Sequence, residues 1–266
     1  MNIAITGAPG RMGRTLVQLV HEATDLTLTG ATDRPGSKLL GQDIGALCGL
    51  GDSGVTLVDD LSQLPASVDL VIDFTTPEAT MNHLATCVDR SLALVIGTTG
   101  LDDEQKAQIT QAANTIPLVF APNMSVGVNV LTNLVEQAAR ILGDDYDVEI
   151  MEMHHRHKVD APSGTALALG EAAAKGLNRN LKECAVYGRE GAEGPRDTQT
   201  IGFATLRGGD VVGEHSVIYA GDGERVEITH KASSRNTFAQ GAVRAARWLE
   251  GKPAGHYGMR DVLDLN

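Results

Sequence analysis

Residues 1 to 13 read Met1-Asn2-Ile3-Ala4-Ile5-Thr6-Gly7-Ala8-Pro9-Gly10-Arg11-Met12-Gly13. The stretch Asn2 to Thr6 is short, apolar and bounded by glycine, which predicts a buried strand. From Arg11 to Glu22 the apolar residues fall at helical spacing, which predicts an amphipathic helix. A glycine loop therefore joins a strand to a helix, the place where a dinucleotide-binding fold holds a pyrophosphate. Glycine lets the backbone approach the phosphates, and the helix start offers unpaired N–H groups. The spacing departs from G-x-G-x-x-G: Ala8 stands where the first glycine would be, and Gly7 precedes it. The context of strand, loop and helix restores the weight that the spacing alone lacks.

Working outward, Leu26 to Thr32 predicts a second strand, and Asp33-Arg34 follows it twenty residues past Gly13. An acid at that distance hydrogen-bonds ribose hydroxyls. A guanidinium beside it suits a 2′-phosphate. The pair predicts use of both NADH and NADPH. Val68 to Phe74, Leu92 to Ile96 and Ile116 to Ala121 read as further strands. Pro77 and Asp102 open helices between them. Strands alternating with helices predict βαβ units around a parallel sheet. Gly97-Thr98-Thr99-Gly100 and Ala121-Pro122-Asn123-Met124 end two of these strands on one rim. They are the expected nicotinamide and ribose contacts.

Composition bounds the rest. The 266 residues hold one large domain or two modest ones, and 42% are hydrophobic. A formal net charge of −12 and an aromatic content of 3% argue against nucleic acid and against an anionic membrane surface. There is no apolar run of transmembrane length and no signal peptide pattern. Cys48, Cys87 and Cys184 are few, odd in number and far apart, which fits a reducing cytoplasm and gives no metal-ligand spacing. No metal is expected.

The pattern changes after Asn123. A long helix is expected from Val126 to Leu142, then a strand from Val148 to Met153, then a helix starting near Ser163. Phe203 to Lys231 looks antiparallel, with a hairpin at Gly221-Asp222-Gly223. A final helix is expected from Thr237 to Glu250. Between the strand and the helix that starts near Ser163 lies His154-His155-Arg156-His157-Lys158, a knot of cations in an acidic chain. It sits just before a helix N-terminus, and both features attract anions. Together they predict a site for a small, multiply negative ligand. Adjacent strand residues point to opposite faces, so His154 and His155 cannot share a role unless the strand has ended.

This chain resembles the dihydrodipicolinate reductase family nearly end to end. The resemblance rests on Gly7 to Gly13, Asp33-Arg34, Asp73-Phe74-Thr75, Gly97 to Gly100, Ala121-Pro122-Asn123, and above all His154 to Lys158 through Ser163-Gly164-Thr165. Met124 departs from the Phe many members carry, and Asp33 from the commoner Glu. The resemblance implies NAD(P)H-dependent reduction of 4-hydroxy-tetrahydrodipicolinate to tetrahydrodipicolinate in lysine and diaminopimelate biosynthesis. It implies His154 and Lys158 as proton donors. His155, Lys158, Gly164, Thr165 and Arg235 are matched to binding a small cyclic imine with two carboxylates. Gly7, Ala8, Pro9, Gly10, Arg11, Met12, Asp33, Arg34, Gly97, Thr98, Thr99, Ala121, Pro122, Asn123 and Met124 are matched to the cofactor. A homotetramer follows from the same resemblance.

The expected fold class is α/β: a Rossmann-type parallel-sheet dinucleotide-binding domain, residues 1–125 and 235–266, with an inserted α+β substrate domain, residues 126–234, containing a mostly antiparallel sheet that also serves oligomerisation. Hinges are expected near Asn123–Val128 and Ser233–Asn236. Two rivals stand beside this reading: another Rossmann oxidoreductase acting on an acidic amino-acid intermediate, and a redox sensor that binds NAD(P) without turnover.

Overall fold

The opening strand forms as β1 (Asn2–Ile5), and the glycine loop turns it into α1 (Arg11–Glu22). There follow β2 (Thr27–Thr32), α2 (Ile44–Leu47), β3 (Leu57–Val58), β4 (Leu70–Asp73), α3 (Pro77–Arg90), β5 (Ala93–Ile96), α4 (Asp103–Ala112) and β6 (Pro117–Phe120). Local chemistry sets the helix starts. Thr76 caps α3 ahead of Pro77, and Asp102 and Gln105 close a reciprocal capping box on α4, with bonds of 2.8 and 3.0 Å. Next come α5 (Val126–Leu142), β7 (Asp147–His154), α6 (Gly164–Gly176), α7 (Leu181–Cys184), β8 (Ala185–Val186), β9 (Ile201–Arg207), β10 (Gly213–Gly221) and β11 (Glu224–Ala232). The chain closes with α8 (Asn236–Leu249), β12 (Gly255–Tyr257) and α9 (Met259–Val262). This computed structural model describes Met1 to Leu265, so Asn266, the last position of the expected segment 235–266, lies outside the described residues. The chain divides into two compact units: Met1–Val126 with the chain from Asn236 onward, and Gly127–Arg235.

The first unit is built on a sheet in the order β12-β6-β5-β4-β1-β2-β3, with every pairing parallel. Parallel strands need helical crossovers, and helices cover both faces. One face packs Ile3, Ile5 and Ile72 with Leu16 and Val17 of α1 and Ala242 and Ala246 of α8. The other packs Val71, Leu94 and Ile96 with Leu84 of α3 and Ile109 of α4. Each such fully buried aliphatic side chain contributes about 1.5–3 kcal/mol relative to exposure. From β1 the chain steps outward through β2 to β3, then returns beside β1 as β4 and steps the other way. The carboxyl ends of β1 and β4 therefore flank a topological switch point, where open α/β sheets place their ligands.

The second unit has a five-stranded sheet in the order β11-β10-β7-β9-β8. β10 pairs antiparallel with β11 and β7 along their length, as expected of this sheet, but β7 and β8 both pair parallel with β9, so the antiparallel reading of Phe203 to Lys231 is corrected at β9 and the sheet is mixed. The reason is connectivity: after β7 the chain crosses one face as α6 before it re-enters the sheet, and such a crossover returns the next strands in the same direction. Only the Asp222-Gly223 turn, with Gly223 at φ +87°, makes a hairpin. α6 is rich in small residues because it lies close to its neighbours. A methyl group added at Gly170 would press on the Phe203 ring at 2.6 Å. Leu131, Val135, Leu169, Ile150, Val217 and Tyr219 fill the core between sheet and helices.

Candidate active site

At the switch point of the first unit, Gly7 adopts a left-handed φ of +56° that L side chains rarely take. A methyl group on Gly13 would collide with the backbones of Gly7 and Ala8, so α1 is drawn tight against the loop. The amide of Ala8 donates to the Thr32 carbonyl at 2.9 Å and ties the loop to β2. Gly10 caps α1 without a side-chain bond, so no side chain occupies the helix start. That is the shape a pyrophosphate needs. Ala8 is buried and contributes only backbone, whereas Pro9 and Met12 are half-buried and Arg11 is exposed. Asp33 is fixed by its amide bond to Val58 at 2.9 Å; its side chain is partly exposed, and Arg34 is exposed. These residues fit a dinucleotide.

Beside the loop, β4 ends in Asp73, which is 0% exposed. Its carboxylate accepts from His83 Nδ1 at 2.9 Å, from the Thr75 amide at 2.9 Å and from Thr75 Oγ1 at 2.6 Å. Burial opposes the charged form, but the His83 contact and the threonine bonds hold the Asp73 carboxyl below the usual range. Thr98 belongs to this floor: its hydroxyl meets Thr75 N at 3.1 Å and Thr80 Oγ1 at 2.9 Å, and it is buried. Thr99 is the exposed one of the pair. Gly97 leaves room that a methyl group would take from the Phe74 ring. Ala121 is buried, Pro122 exposed, and Asn123 Oδ1 accepts from Ser125 N at 2.9 Å. Met124 is 1% exposed in the core, and its carbonyl lies against Gly241. Its side chain is thus a packing element, and its carbonyl is held against α8.

In the second unit, β7 carries Glu152 and His154 two residues apart, on the same inward face. Glu152 is 1% exposed and collects four donors. His154 Nδ1 lies 2.5 Å from Oε2, Arg207 Nη1 and Nη2 lie 2.8 and 2.9 Å from the two oxygens, and the Ser163 amide lies 3.0 Å from Oε1. Burial disfavours the Glu152 anion, yet Arg207, His154 and the Ser163 amide together hold its carboxyl below the usual range. His154 is 8% exposed, and burial lowers its pKa; Glu152 pulls upward, while the charges of Lys158 and Arg207 push down. The His215 ring packs edge-on at 5.0 Å from His154, and its Nε2 is 3.1 Å from Ser163 Oγ. Burial pushes His215 down to about 4.

Ser163 also caps α6, accepting from Ala166 N at 3.1 Å. Gly164 and Thr165 open that helix, the first exposed and the second half-buried. Lys158 Nζ holds both oxygens of Asp160, at 2.7 and 2.8 Å. His155 lies past the end of β7, and its Nε2 is 3.3 Å from Arg235 Nη2. The strand thus ends between the two adjacent histidines, one buried against Glu152 and one paired with an arginine. Glu152, Arg207 and His215 complete the cluster and did not stand out in the sequence. The signal for Glu152 was its place on the Val148–Ile150 face of an alternating strand.

Two family descriptions match in tandem: "Dihydrodipicolinate reductase, N-terminus" over residues 1–124 and "Dihydrodipicolinate reductase, C-terminus" over residues 127–263. The 4-hydroxy-tetrahydrodipicolinate reductase of Alkalilimnicola ehrlichii is 60% identical over 263 residues, covering 99% of this chain and 98% of that one. The enzyme of the same name from Hahella chejuensis is 59% identical, with the same coverage. Among solved structures, a dipicolinate-bound dihydrodipicolinate reductase from Paenisporosarcina sp. TG-14 superposes with a TM-score of 0.77 at 25% identity, covering 98% of each chain. With both halves matched in order and relatives this similar along nearly its whole length, the chain belongs to the dihydrodipicolinate reductase family.

Proposed function

We propose that the cluster around His154 binds a cyclic imine with two carboxylates and protonates it as it is reduced. The chain is an NAD(P)H-dependent oxidoreductase that converts 4-hydroxy-tetrahydrodipicolinate to tetrahydrodipicolinate. The first unit holds the dinucleotide and the second, with residues 126–234, the substrate. The bound nicotinamide supplies a hydride to the ring. The 4-hydroxyl of the substrate leaves as water, and the dehydrated ring then gains an electron pair with the hydride and one proton to balance it; His154 and Lys158 are the donors in this reading. The start of α6 at Gly164 and Thr165, where the helix dipole favours an anion, receives one carboxylate. His155 and Arg235 receive the other. The observation that supports the reading is the hold of Lys158 Nζ on both oxygens of Asp160, an ammonium paired with a carboxylate beside the start of α6. A homotetramer formed through the sheet face that exposes Met151 and Leu206, and a cytoplasmic location, belong to the same reading.

The test is NADPH oxidation in the double variant His154→Gln with Lys158→Ala. Turnover falls by about 10²- to 10⁴-fold, the size of a general acid's contribution, while NADPH affinity is unchanged. Wild-type turnover in that variant would remove both residues from the chemistry. Consumption of NADPH with a linear keto acid but not with the cyclic imine would overturn the substrate.

A further inference from the structure

We infer that Glu152 is a positioning residue for the reduction: it holds the Nδ1–H of His154 so that Nε2 takes up a proton when the doubly negative ring binds, and gives that proton to the ring. This rests on the reading of His154 as proton donor and adds when, and at which nitrogen, the acid forms.

The geometry begins with the hydrogen bond of 2.5 Å between Nδ1 and Oε2. Carboxylate oxygens only accept when ionised, so Nδ1 must carry the hydrogen. Nε2 makes no hydrogen bond to the described residues. It faces Gly213, where a methyl group would stand 3.0 Å from it. The imidazole is therefore fixed in one tautomer, with its basic nitrogen beside a residue that has no side chain.

The charges explain why a proton is absent until ligand arrives. On its own strand His154 faces Glu152. From the following loop Lys158 acts on it, with Asp160 bound to that ammonium. From β9 comes Arg207, which already neutralises Glu152 by two hydrogen bonds and reaches the Asp160 carbonyl at 2.7 Å. From β10 comes His215, with His230 of β11 behind it. The cations balance the carboxylates, and burial then favours neutral imidazole. A neutral ring with a bare Nε2 cannot donate. Two ligand carboxylates, one at the start of α6 and one at His155 and Arg235, reverse that balance and draw one proton onto Nε2. When the ring accepts it, His154 returns to the neutral tautomer that Glu152 has held throughout. No other reactant is needed.

Glu152 also binds the Ser163 amide, so one carboxylate fixes both the donor and the first residue of the α6 cap. A purely structural role would explain that bond alone. The experiment must separate the two roles. Dipicolinate is titrated into the NADH-saturated enzyme at pH 7.5, by calorimetry in two buffers of different ionisation enthalpy. The wild type takes up a large fraction of one proton. Glu152→Gln keeps the shape and one acceptor but loses the charge; its proton uptake falls to near zero, and kcat falls on the order of 10²-fold. The basic limb of its kcat profile shifts to lower pH, while KM and the NADH dissociation constant change less than threefold. Glu152→Asp recovers part of kcat and of the uptake. The inference is overturned if Glu152→Gln keeps the wild-type pH profile and uptake, or if kcat and KM deteriorate together with melting temperature. His154→Gln separates the levels. If it is inactive while Glu152→Gln is normal, only the positioning role fails. If His154→Gln itself keeps wild-type kcat, the proton-donor reading fails.

Discussion

Each unit ends a central strand in a buried carboxylate that holds a histidine, and the two pairs are built differently. Asp73 at the end of β4 is surrounded by neutral donors, the Thr75 amide and hydroxyl and the Thr98 hydroxyl, besides His83. Glu152 near the end of β7 is matched by a guanidinium, Arg207, besides His154. A floor made of neutral donors has little charge to rearrange when a ligand comes. A carboxylate balanced against Arg207 and Lys158 leaves its histidine close to a tipping point, which suits a group that must change protonation. On the proposed function, the first pair would underpin the cofactor rim and the second would form a responsive site.

The comparison breaks most sharply by deleting each carboxylate. Glu152→Leu leaves the Arg207 charge without its partner and costs about 3 kcal/mol, at the low end for broken buried pairs because Arg207 keeps some solvent contact. Asp73→Leu takes the acceptor from His83 and from the threonine donors, with no guanidinium left unpaired, and costs about 1–2 kcal/mol. Urea unfolding midpoints of the two variants check the order; equal losses would erase the distinction.

Acid sharpens it further. His215 has a folded pKa of about 4 against an unfolded value near 6.5. Between those values the unfolded chain binds a proton that the folded one refuses, so stability falls as pH drops through that window, by at most about 3 kcal/mol. His154, also held down, acts in the same direction. Asp73, a depressed carboxyl, keeps its contribution above the ordinary carboxylate range near 4 and loses it only below. Hydrogen exchange followed by unit should show residues 127–235 loosening between pH 6.5 and 4, ahead of the parallel sheet. His215→Leu should flatten that slope.

The smallest effect concerns cofactor choice. Arg34→Ala should weaken NADPH about tenfold, about 1.4 kcal/mol, and leave NADH nearly unchanged, while Asp33→Ala should do the reverse. Fluorescence titration with both dinucleotides reads this directly.

How much of this was legible followed from range. The first unit is written in local signals: α1 spans the residues its periodicity predicts, and Thr76-Pro77 and Asp102 open their helices. The parallel placement of β9 was not legible, because nothing in Ile201–Arg207 says which strand it will meet. β12 escaped for another reason: Gly255–Tyr257 has no apolar run, and it forms by adding to the edge of β6. At the site, the cation knot stood out by charge, whereas Glu152 hid in a strand that looked apolar. Its parity with Val148 and Ile150 assigned it to the interior, and a buried acid must find partners. Thr98 and Met124 were found by motif, and burial then gave their side chains supporting tasks.

The order in which the parallel sheet is assembled along the chain has a consequence for biosynthesis. Its face against α1 is sealed by α8, and its edge by β12, both of which follow residue 235. Everything the other sheet requires lies between residues 127 and 235. As the polypeptide leaves the ribosome, the later-encoded module has its full complement of strands first, and the N-terminal half waits, half-covered, for the last thirty or so residues to arrive.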